Sequence, residues 1–441
     1  MKKTNKPMKK RTKIFLKVLL ALAIIIALFI AVTTVISAIA VKSNINMARS
    51  FSNANTQQLS LDYYENGCWN IKSDNGLNVM QLTDVHIGGG WLSIKKDSMA
   101  INAVASMITA EKPDLVVVTG DVSYPVPFQA GTFNNKSAAK IFAELMETLG
   151  VYWTLGYGNH DTEVYSYYSR EQLTEFYGSG NYPHCLLQGG PNDVDGEGNQ
   201  VLNIVNSDGV ITRSLIILDS HSYTDGDYFG IKWMYDNIHD NQIEWYKSTV
   251  KSIKDKNSAA ISALSADKAL EYTSLAENIP SSVFFHIPME EYKDAWKEYA
   301  NNDYQDTDNV KYIYGAVGEA NEAVFCPVHS DNLFETMLSE KSTDSVFCGH
   351  DHFNNFSLNY KGINLTYGMS IDYLAYFGIM KLGTQRGCTL INYDKNGAIS
   401  YNQENYYQDK YSSNYQKEAV TMQNIKDSAD GVMIPGMPEE K

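Results

Sequence analysis

V-V-T-G-D, residues Val117 to Asp121, is a β-branched run that stops at a glycine and then presents a carboxylate. A buried strand with this ending places Asp121 at the carboxyl edge of a sheet, where open α/β folds carry out their chemistry. The Gly120-Asp121 pair is a weak signal by itself, because Gly-Asp more often marks an ordinary turn. Its weight therefore depends on whether other strands in the chain end in the same way.

Four further apolar runs also end directly in Asp, Asn or His. The segments that follow these runs are Asp84-Val85-His86, Gly158-Asn159-His160-Asp161, His286 and Gly349-His350-Asp351-His352. The strand–helix–strand–helix–strand pattern of residues 77–155 predicts neighbouring, mostly parallel strands with right-handed crossovers. Because the carboxyl ends of such strands share one edge, five side chains are expected to meet there: Asp84, His86, Asp121, Asn159 and His160.

Hydrophobic periodicity divides the rest of the chain into the strands and helices of an α/β fold. Strands are predicted at residues 77–82, 115–119, 151–155, 214–218, 281–285 and 345–348, and helices at residues 98–111, 137–149 and 241–253. Three later runs are predicted to be strands that complete a second sheet, at residues 363–367, 379–382 and 389–393. Two pairs predict hairpin turns, Asn66-Gly67 and Asn75-Gly76. We assign residues 59–405 to one domain.

The N-terminal region has the features of a membrane anchor. Residues 1–17 carry eight basic side chains and no acidic ones. Residues 18–40 form an uncharged run of 23 residues, which is long enough to span a bilayer as a helix. This arrangement predicts an uncleaved signal-anchor, with a cytoplasmic basic flank and everything after Val41 outside the cell. A cleaved signal peptide is the alternative, because Ala38-Ile39-Ala40 resembles a cleavage site.

Composition permits a large globular domain and argues against one class of partner. The 441 residues are 44% hydrophobic and 20% charged, which is enough to bury a core. The formal net charge of −15 argues against a nucleic-acid partner. The five cysteines show no zinc or disulfide pattern, although one disulfide would be compatible with export. Residues 41–58 predict a polar tether, and residues 406–441 a polar C-terminal tail.

The residues at the strand ends form a set that suits two adjacent metal ions. Asp, Asn and His ligands fit Mn, Fe or Zn. A shared carboxylate is needed, because two cations about 3.5–4 Å apart repel each other strongly. Asp121 is the expected bridge, since its strand is central. The other ligands can then divide into Asp84, His86 and His352 for one ion, and Asn159, His286 and His350 for the other. An extended backbone would point His350 and His352 the same way.

In their order along the chain, these motifs resemble those of the calcineurin-like metallophosphoesterases. The matching elements are D-x-H at Asp84, G-D at Asp121, G-N-H-D at Asn159, an isolated histidine at His286 and G-H-x-H at His350. Two other segments are similar to the purple acid phosphatase branch and its Dcr2-like members: Phe284-Phe285-His286-Ile287-Pro288 and Leu218-Asp219-Ser220.

The resemblance implies a four-layer αββα sandwich of two mixed sheets and a phosphoester hydrolase with a dinuclear metal centre. In that family a metal-bound hydroxide attacks phosphorus, and the histidine of G-N-H-D assists the leaving group. By position that histidine is His160, with Asp161 as its orienting partner. Purple members carry D-x-G and a ligating tyrosine. In this chain His86 fills that coordination place, so Tyr124 of G-D-x-x-Y is expected to be a pocket or packing residue.

We therefore expect a phosphate-ester substrate, with a phosphomonoester as the first choice. A phosphodiesterase or nuclease is the enzymatic alternative. The alternative from another class is a surface binding protein that retains the fold without catalysis. Among the histidines outside the motifs, His184, His239 and His329 are interpreted as structural. His221 is a weak candidate for the cleft, because it also follows a strand.

Overall fold

Two β-sheets, packed face to face, place the motif residues at one edge of the domain. The computed structural model describes residues 10–64, 68–376 and 386–411 of the chain. Within these residues the strands are, in chain order, β1 (Ser60–Tyr64), β2 (Cys68–Lys72), β3 (Leu77–Leu82), β4 (Leu115–Thr119), β5 (Tyr152–Gly156), β6 (Gln200–Val205), β7 (Ile211–Ile217), β8 (Ser281–Phe284), β9 (Val310–Tyr314), β10 (Thr343–Cys348), β11 (Ser357–Tyr360), β12 (Ile363–Tyr367), β13 (Gly387–Tyr393) and β14 (Ile399–Asn405).

Both sheets are mixed. Among the described residues, the first sheet has the strand order β14-β13-β3-β4-β5 and the second the order β1-β2-β6-β7-β8-β10-β12-β11-β9. Strands β3, β4 and β5 are parallel, as the motif spacing predicts. Strands β7, β8, β10 and β12 form the parallel centre of the second sheet. Antiparallel pairs extend both sheets, for example β13 with β14 and β6 with β7. The predicted sandwich of two mixed sheets is confirmed.

Helices cover the outer face of each sheet. In chain order they are α1 (Lys10–Ala48), α2 (Ile94–Glu111), α3 (Pro127–Ala130), α4 (Asn135–Leu149), α5 (Arg170–Tyr177), α6 (Asp240–Ser262), α7 (Ala266–Glu271), α8 (Thr273–Glu277), α9 (Glu290–Asn301) and α10 (Leu333–Glu340). The helices predicted at residues 98–111, 137–149 and 241–253 are confirmed with longer bounds. Helix α2 ends at Lys112 in a left-handed conformation, directly before Pro113, which cannot continue a helix.

Three apolar layers hold this arrangement together. Because successive residues of a strand point to opposite faces, Val116 and Val118 of β4 cluster with residues of α2 and α4, whereas Val117 faces the second sheet. In the second sheet, Val283 clusters with α6, α9 and α10, and Phe284 faces the first sheet. Burial on both faces explains why these strands are continuous apolar runs. All five cysteines are unpaired.

Several details differ from the sequence predictions. Asn75-Gly76 is not a hairpin turn, because β2 and β3 belong to different sheets. The strand predicted at residues 389–393 joins the first sheet beside β3 and not the second. Tyr406 and Tyr411 are buried in the core next to α2 and α4, so the packed chain extends beyond residue 405. Three predicted features lie outside the described residues: the turn at Asn66-Gly67, the strand at 379–382 and the tail after residue 411.

The end of helix α1 differs most from the predicted tether. The helix continues to Ala48, and its last turns pack against α2 and α4. Asn44 is buried and donates to Asp97 of α2 at 3.4 Å. Arg49 forms an ion pair with Glu144 of α4 at 2.7 Å. Asn44 and Arg49 of this stretch therefore contact the domain, whereas in a tether they would face water.

Asp97 connects the docked helix to the loop that follows the D-x-H motif. Its carboxylate accepts hydrogen bonds from the backbone N–H groups of Gly88 and Gly89 and from the Ser93 hydroxyl, at 2.8, 3.0 and 2.9 Å. Burial raises the pKa of Asp97 to about 7, against the lowering effect of these donors. The last turns of α1 therefore contact, through one carboxylate, the segment next to the predicted ligand His86.

A buried arginine connects the two sheets at the edge opposite to the motifs. Arg213 of β7 donates to the carbonyl oxygen of Gly397, in the β13–β14 turn, at 2.5 Å, and it pairs with Asp344 of β10. The guanidinium lies 4.8 Å from the centre of the Tyr393 ring. Tyr393 pairs with Leu77 at the start of β3. The arginine contacts therefore lie a full strand length from the residues that follow β3.

The raised pKa of Asp97 predicts how stability depends on pH. The folded protein holds the Asp97 proton up to about pH 7, whereas the ordinary value of this carboxyl group is 3.8. The contribution to stability is therefore fully present below pH 3.8 and is lost as the pH rises toward 7, at about 1.4 kcal/mol per unit. We expect wild type to lose thermal stability relative to Asp97→Asn over this range, measured by melting of the full chain in detergent. Asp267→Asn, at an exposed carboxylate on α7, should show no such trend. A constant difference between wild type and Asp97→Asn would contradict the prediction.

Candidate metal centre

The ends of β3, β4, β5, β8 and β10 meet at one edge, between the two sheets. They bring together all seven predicted ligands, which are Asp84, His86, Asp121, Asn159, His286, His350 and His352. Six of these residues are buried, and His350 is half-buried. Residues of the two sheets come close together here. His286 follows β8 of the second sheet, and its Nε2 lies 3.2 Å from Oδ2 of Asp121, which follows β4 of the first sheet.

Each of the two carboxylates has one oxygen held by the protein and one that faces the histidines. Asp121 Oδ1 accepts a backbone N–H at 2.8 Å. Its Oδ2 lies 3.1 Å from His86 Nε2 and 3.2 Å from His286 Nε2. Asp84 Oδ2 accepts the Thr83 hydroxyl at 2.7 Å, whereas Asp84 Oδ1 is buried with no hydrogen-bond partner. A buried carboxylate oxygen without a partner is destabilising, and a bound cation would supply that partner.

Three of the histidines are oriented by acceptors on the side away from these carboxylates. His86 Nδ1 and His352 Nδ1 lie 3.2 and 3.1 Å from the two oxygens of Asp372. His286 Nδ1 lies 2.8 Å from the carbonyl oxygen of Thr119. An Nδ1–H held in this way fixes the ring and leaves the Nε2 lone pair free for a metal. The donor set therefore fits divalent cations.

Asn159 occupies the other half of the site. Its Oδ1 lies 3.0 Å from both His286 Nε2 and His350 Nδ1. The Asn159 amide nitrogen donates to the Tyr223 hydroxyl at 2.9 Å. This contact fixes the amide so that its carbonyl oxygen, the atom that could bind a metal, faces the two histidines.

Neighbouring charges keep the buried acids ionised. Burial alone would raise the pKa of Asp121, but His286 and His160 hold that pKa well below its ordinary value. The pKa of Asp372 is also held well below its ordinary value, against burial, by His86 and His352. Both groups therefore remain carboxylates at neutral pH, the form that can bind a metal or orient an imidazole.

Left-handed backbone conformations direct several of these side chains. Four of them have φ values that non-glycine residues rarely adopt: Asp84 at 51°, His86 at 51°, Asp121 at 55° and His350 at 77°. His350 thus lacks the extended backbone expected for it, and its ring points to Asn159 while the His352 ring points to Asp84. Strained residues of this kind cluster at functional sites.

Asp161 connects the ends of β4 and β5. Its carboxylate accepts the backbone N–H groups of Asp121 and Gly158 at 2.9 Å and of Ser123 at 2.8 Å. Gly158 permits this close approach, because a Cβ at that position would lie 2.1 Å from Asp121 Oδ1. Asp161 therefore positions the backbone that carries the ligands.

The partner of the His160 ring is Glu163, which corrects the expectation that Asp161 orients it. His160 Nδ1 lies 2.6 Å from Glu163 Oε1. The His160 ring centre lies 5.5 Å from that of His86, and the side chain is 26% exposed. A ring beside the ligand set and open to solvent can reach a bound substrate without being a ligand itself.

These features accompany a match to a known family. Residues 77–354, more than half of the chain, match the sequence model described as calcineurin-like phosphoesterase. The chain belongs to the calcineurin-like phosphoesterase family. The matched segment contains all seven residues that the strand ends bring together.

Curated proteins are similar to this member of the family over about two thirds of its length. It is 28% identical over 301 residues to "Probable inactive purple acid phosphatase 29" of Arabidopsis thaliana, covering 66% of this chain and 67% of that one. It is 29% identical over 309 residues to "Phosphatase DCR2" of Saccharomyces cerevisiae, covering 65% of this chain and 46% of that one. A solved structure of a dimetal phosphatase from Danio rerio covers 74% of this chain and 99% of its own, with 11% identity and a TM-score of 0.43.

Two residues of this candidate site do not follow from the motifs. Asp372 contacts both His86 and His352, and Glu163 contacts His160. The other site residues are predicted because they directly follow a buried strand. Asp372 stands five residues after β12, which is too far from the strand end to be found in this way. Glu163 stands two residues after G-N-H-D, and that proximity is the signal that could have identified it.

His221, Asp236 and His239 form a second group of possible ligands in the described part of the chain. The rings of His221 and His239 are stacked, with centres 4.0 Å apart and planes 16° from parallel. A metal lies close to the plane of each imidazole that binds it, and two nearly parallel planes at this spacing cannot share one ion. His221 Nε2 also contacts Gln242 Oε1 at 2.8 Å. We therefore interpret this group as structural.

Tyr124 contacts the site without facing the carboxylates. Its hydroxyl donates to Gln129 Oε1 at 2.8 Å, and its ring centre lies 4.6 Å from that of His86. Burial, together with the charge of Asp372, raises the pKa of the Tyr124 hydroxyl. A neutral phenol turned toward Gln129 agrees with the packing role expected from the sequence.

Replacement of Asp372 by Asn should weaken metal binding although Asp372 is not a ligand. Each ring contacts a different oxygen of Asp372, so in the amide one of the two Nδ1–H groups would face an NH₂ donor in place of an acceptor. We expect the affinity of the full chain for Mn²⁺, measured by calorimetry, to fall by about 10–100-fold. Asp114→Asn, at a carboxylate that accepts the Asn78 N–H near the opposite edge, is the matched control and should leave affinity unchanged. Equal affinities for wild type and Asp372→Asn would show that Asp372 does not orient the ligands.

Proposed function

We propose that this phosphoesterase hydrolyses phosphate monoesters with two divalent cations bound at the centre. The observation that carries the proposal is Asp121 Oδ2, which lies 3.1 Å from His86 Nε2 and 3.2 Å from His286 Nε2. An anionic oxygen between two sets of nitrogen ligands is what neighbouring cations need to offset their repulsion. The ligands would be Asp84, His86 and His352 for one ion and Asn159, His286 and His350 for the other, with Asp121 shared. Bound cations would supply Lewis-acid activation of the ester and of the attacking water.

His160 and Glu163 would control the proton of the leaving group. Since Glu163 holds Nδ1 of His160 at 2.6 Å, Nε2 is the atom left to face a substrate. A positioned imidazolium can protonate a departing alkoxide, and the contact with Glu163 fixes the direction in which the ring points. His160 is therefore the proposed general acid, and Glu163 its positioning residue.

The names of the relatives favour a phosphatase, but they do not decide whether this chain turns over a substrate. The four curated relatives are all named as phosphatases, which favours a monoester over a diester, and three of these names include "inactive". The proposal of turnover in this chain rests on its own residues, because the ligand atoms converge and an acid–base pair lies beside them. The alternative from another class is a metal-binding surface protein without turnover.

Turnover of phosphate esters tests the proposal. Full-length protein in detergent, supplied separately with Mn²⁺, Zn²⁺ and Fe²⁺, should hydrolyse nitrophenyl phosphate faster than bis-nitrophenyl phosphate. Asp121→Asn should lower metal content and abolish turnover together, because the shared ligand is lost. A preference for the diester would favour a phosphodiesterase. Metal binding without turnover of either ester would favour the binding protein.

In the same assay, His160→Ala should retain both metals, and its rate should fall by about 10²–10⁴-fold, the usual effect of removing a general acid. The loss should be smaller for nitrophenyl phosphate than for an alkyl phosphate, because an acidic leaving group needs little protonation. Glu163→Gln should show the same leaving-group dependence with a smaller loss. His184→Ala, at a histidine paired with Glu147 outside the site, is the control. Loss of metal in His160→Ala would contradict its assignment.

We infer that helix α1 anchors the enzyme in a membrane, with the domain outside the cytoplasm. The helix has 39 residues, and an 18-residue window within it has a mean hydropathy of 3.0 and is not buried. Basic residues precede the apolar run, which supports this orientation. Cleavage near Ala40 would cut a helix whose last turns contact α2 and α4, and this favours an intact anchor.

Protease treatment of intact cells should remove the domain and leave an N-terminal tag protected, because the tag would lie in the cytoplasm. Phosphatase activity should also remain in carbonate-washed membranes. Activity recovered from the medium on a chain that begins at Val41 would instead establish cleavage.

A further inference from the structure

Exposed apolar side chains cluster where the loops of the metal centre meet helix α1. Phe128 is 91% exposed, and the exposed rings of Phe133 and Tyr167 stack with centres 6.2 Å apart. We define the aromatic rim as five exposed residues and the half-buried Trp91 beside them: Leu92, Phe128, Phe133, Val164, Tyr167 and Trp91. A contiguous exposed patch of this kind marks a contact surface.

The rim lies close to the metal centre. Three loops that begin at residues of the site carry most of it: His86–Trp91, Asp121–Phe128 and His160–Tyr167. A fully extended chain covers at most about 3.6 Å per residue, so Trp91 lies within about 18 Å of His86. Any surface that contacts the rim is therefore close to the bound cations of the proposed enzyme.

The rim also contacts the apolar part of helix α1. The rings of Phe29 and Trp91 pack edge to face, with centres 6.4 Å apart. Because α1 contacts the domain from Phe29 onward, a span of about 20 residues would begin near Ile14 and end near the polar Thr33, which is four residues earlier than the start of the uncharged run 18–40 and includes Lys17. Trp91 would lie at the outer boundary of the membrane, the level that tryptophan favours.

A groove between α1 and the rim has the charge that suits lipid headgroups. It has a volume of about 800 Å³ and lies between Phe29 and Phe133. Among the described residues that line it, Lys42, Arg49 and Lys140 are basic and none is acidic, and of these three Arg49 is already paired with Glu144. This contrasts with the formal net charge of −15 for the whole chain. Basic side chains at a membrane surface attract the phosphate groups of lipids.

We propose that the aromatic rim and this groove bind bilayer lipids, and that the metal centre acts on phosphate esters carried by membrane lipids. The substrate class rests on the proposed phosphatase activity, whereas the lipid contact does not. The contacts of Asn44 and Arg49 hold α1 rigidly against the domain. The centre therefore stays at headgroup level, where a lipid phosphate can reach it.

Quenching of tryptophan fluorescence tests the lipid contact without using activity. The full chain is placed in nanodiscs that contain brominated phosphatidylcholine. The part of the signal that the lipid quenches should disappear in Trp91→Phe. It should persist in Trp245→Phe, the matched control, at another half-buried tryptophan on α6. Equal quenching in wild type and Trp91→Phe would overturn the lipid contact.

Hydrolysis of phosphatidic acid in the same nanodiscs tests the substrate class, with nitrophenyl phosphate as the soluble reference. Removal of two exposed rings in Phe128→Ser/Phe133→Ser should reduce hydrolysis of phosphatidic acid at least about 10-fold and leave that of nitrophenyl phosphate unchanged. Leu270→Ser/Tyr312→Ser, at two exposed residues on α7 and β9, is the control and should change neither rate.

The remaining outcomes separate the two proposals. Hydrolysis of nitrophenyl phosphate without hydrolysis of phosphatidic acid by wild type would overturn the lipid substrate and leave the phosphatase. Equal losses on both substrates in the double variant would overturn the role of the rim in substrate capture. Hydrolysis of neither substrate would refute the phosphatase activity and the lipid substrate with it, and the quenching experiment would still decide the lipid contact.

Discussion

Two buried carboxylates and four imidazoles share one edge between two sheets, and the surrounding structure follows from this constraint. Asp84 Oδ1 has no hydrogen-bond partner, and Asp121 Oδ2 faces ring nitrogens from both sides. Lone pairs brought together in a buried place repel one another unless protons on the imidazoles or a metal cation lie between them. The left-handed backbone at Asp84, His86 and Asp121 is the local consequence, because extended strands would carry these side chains past one another.

Each half of the centre takes ligands from both sheets. Asp84 and His86 from the first sheet face His352 from the second, and Asn159 faces His286. Packing between the sheets therefore determines the distances between ligand atoms. The apolar layer around Val117, Phe284 and Phe347 holds those distances, so the core between the sheets is part of the functional site in a physical sense.

Strand-end motifs predict the centre well because each one is local: a buried run and the polar residues directly after it. The parallel order of β3, β4 and β5 then brings those ends together. Local motifs cannot predict the role of Asp372, because its contact with His86 joins residues that are 286 positions apart in the chain. Local motifs also fail to predict the packing of α1 against the domain, because it too depends on contacts between distant segments. A stretch that contains Asn44 is polar whether it faces water or Asp97, and composition cannot distinguish the two. The division of strands between the sheets also depends on pairing across distant segments. For this reason the sequence prediction places the strand at 389–393 in the wrong sheet.

Arg213 joins the two sheets at the edge opposite to the candidate metal centre. It fastens the two sheets through Gly397 and Tyr393 at one edge, and bound cations would fasten them at the other. The two attachments differ in what they require. The arginine contacts need only residues of the chain, whereas the attachment at the candidate metal centre would need bound ions. An order of assembly follows. The sheets can close on their shared core and be held at Arg213 while the opposite edge still admits metal. A chain that crosses a membrane before it meets its ions could then be loaded afterwards, in the folded state.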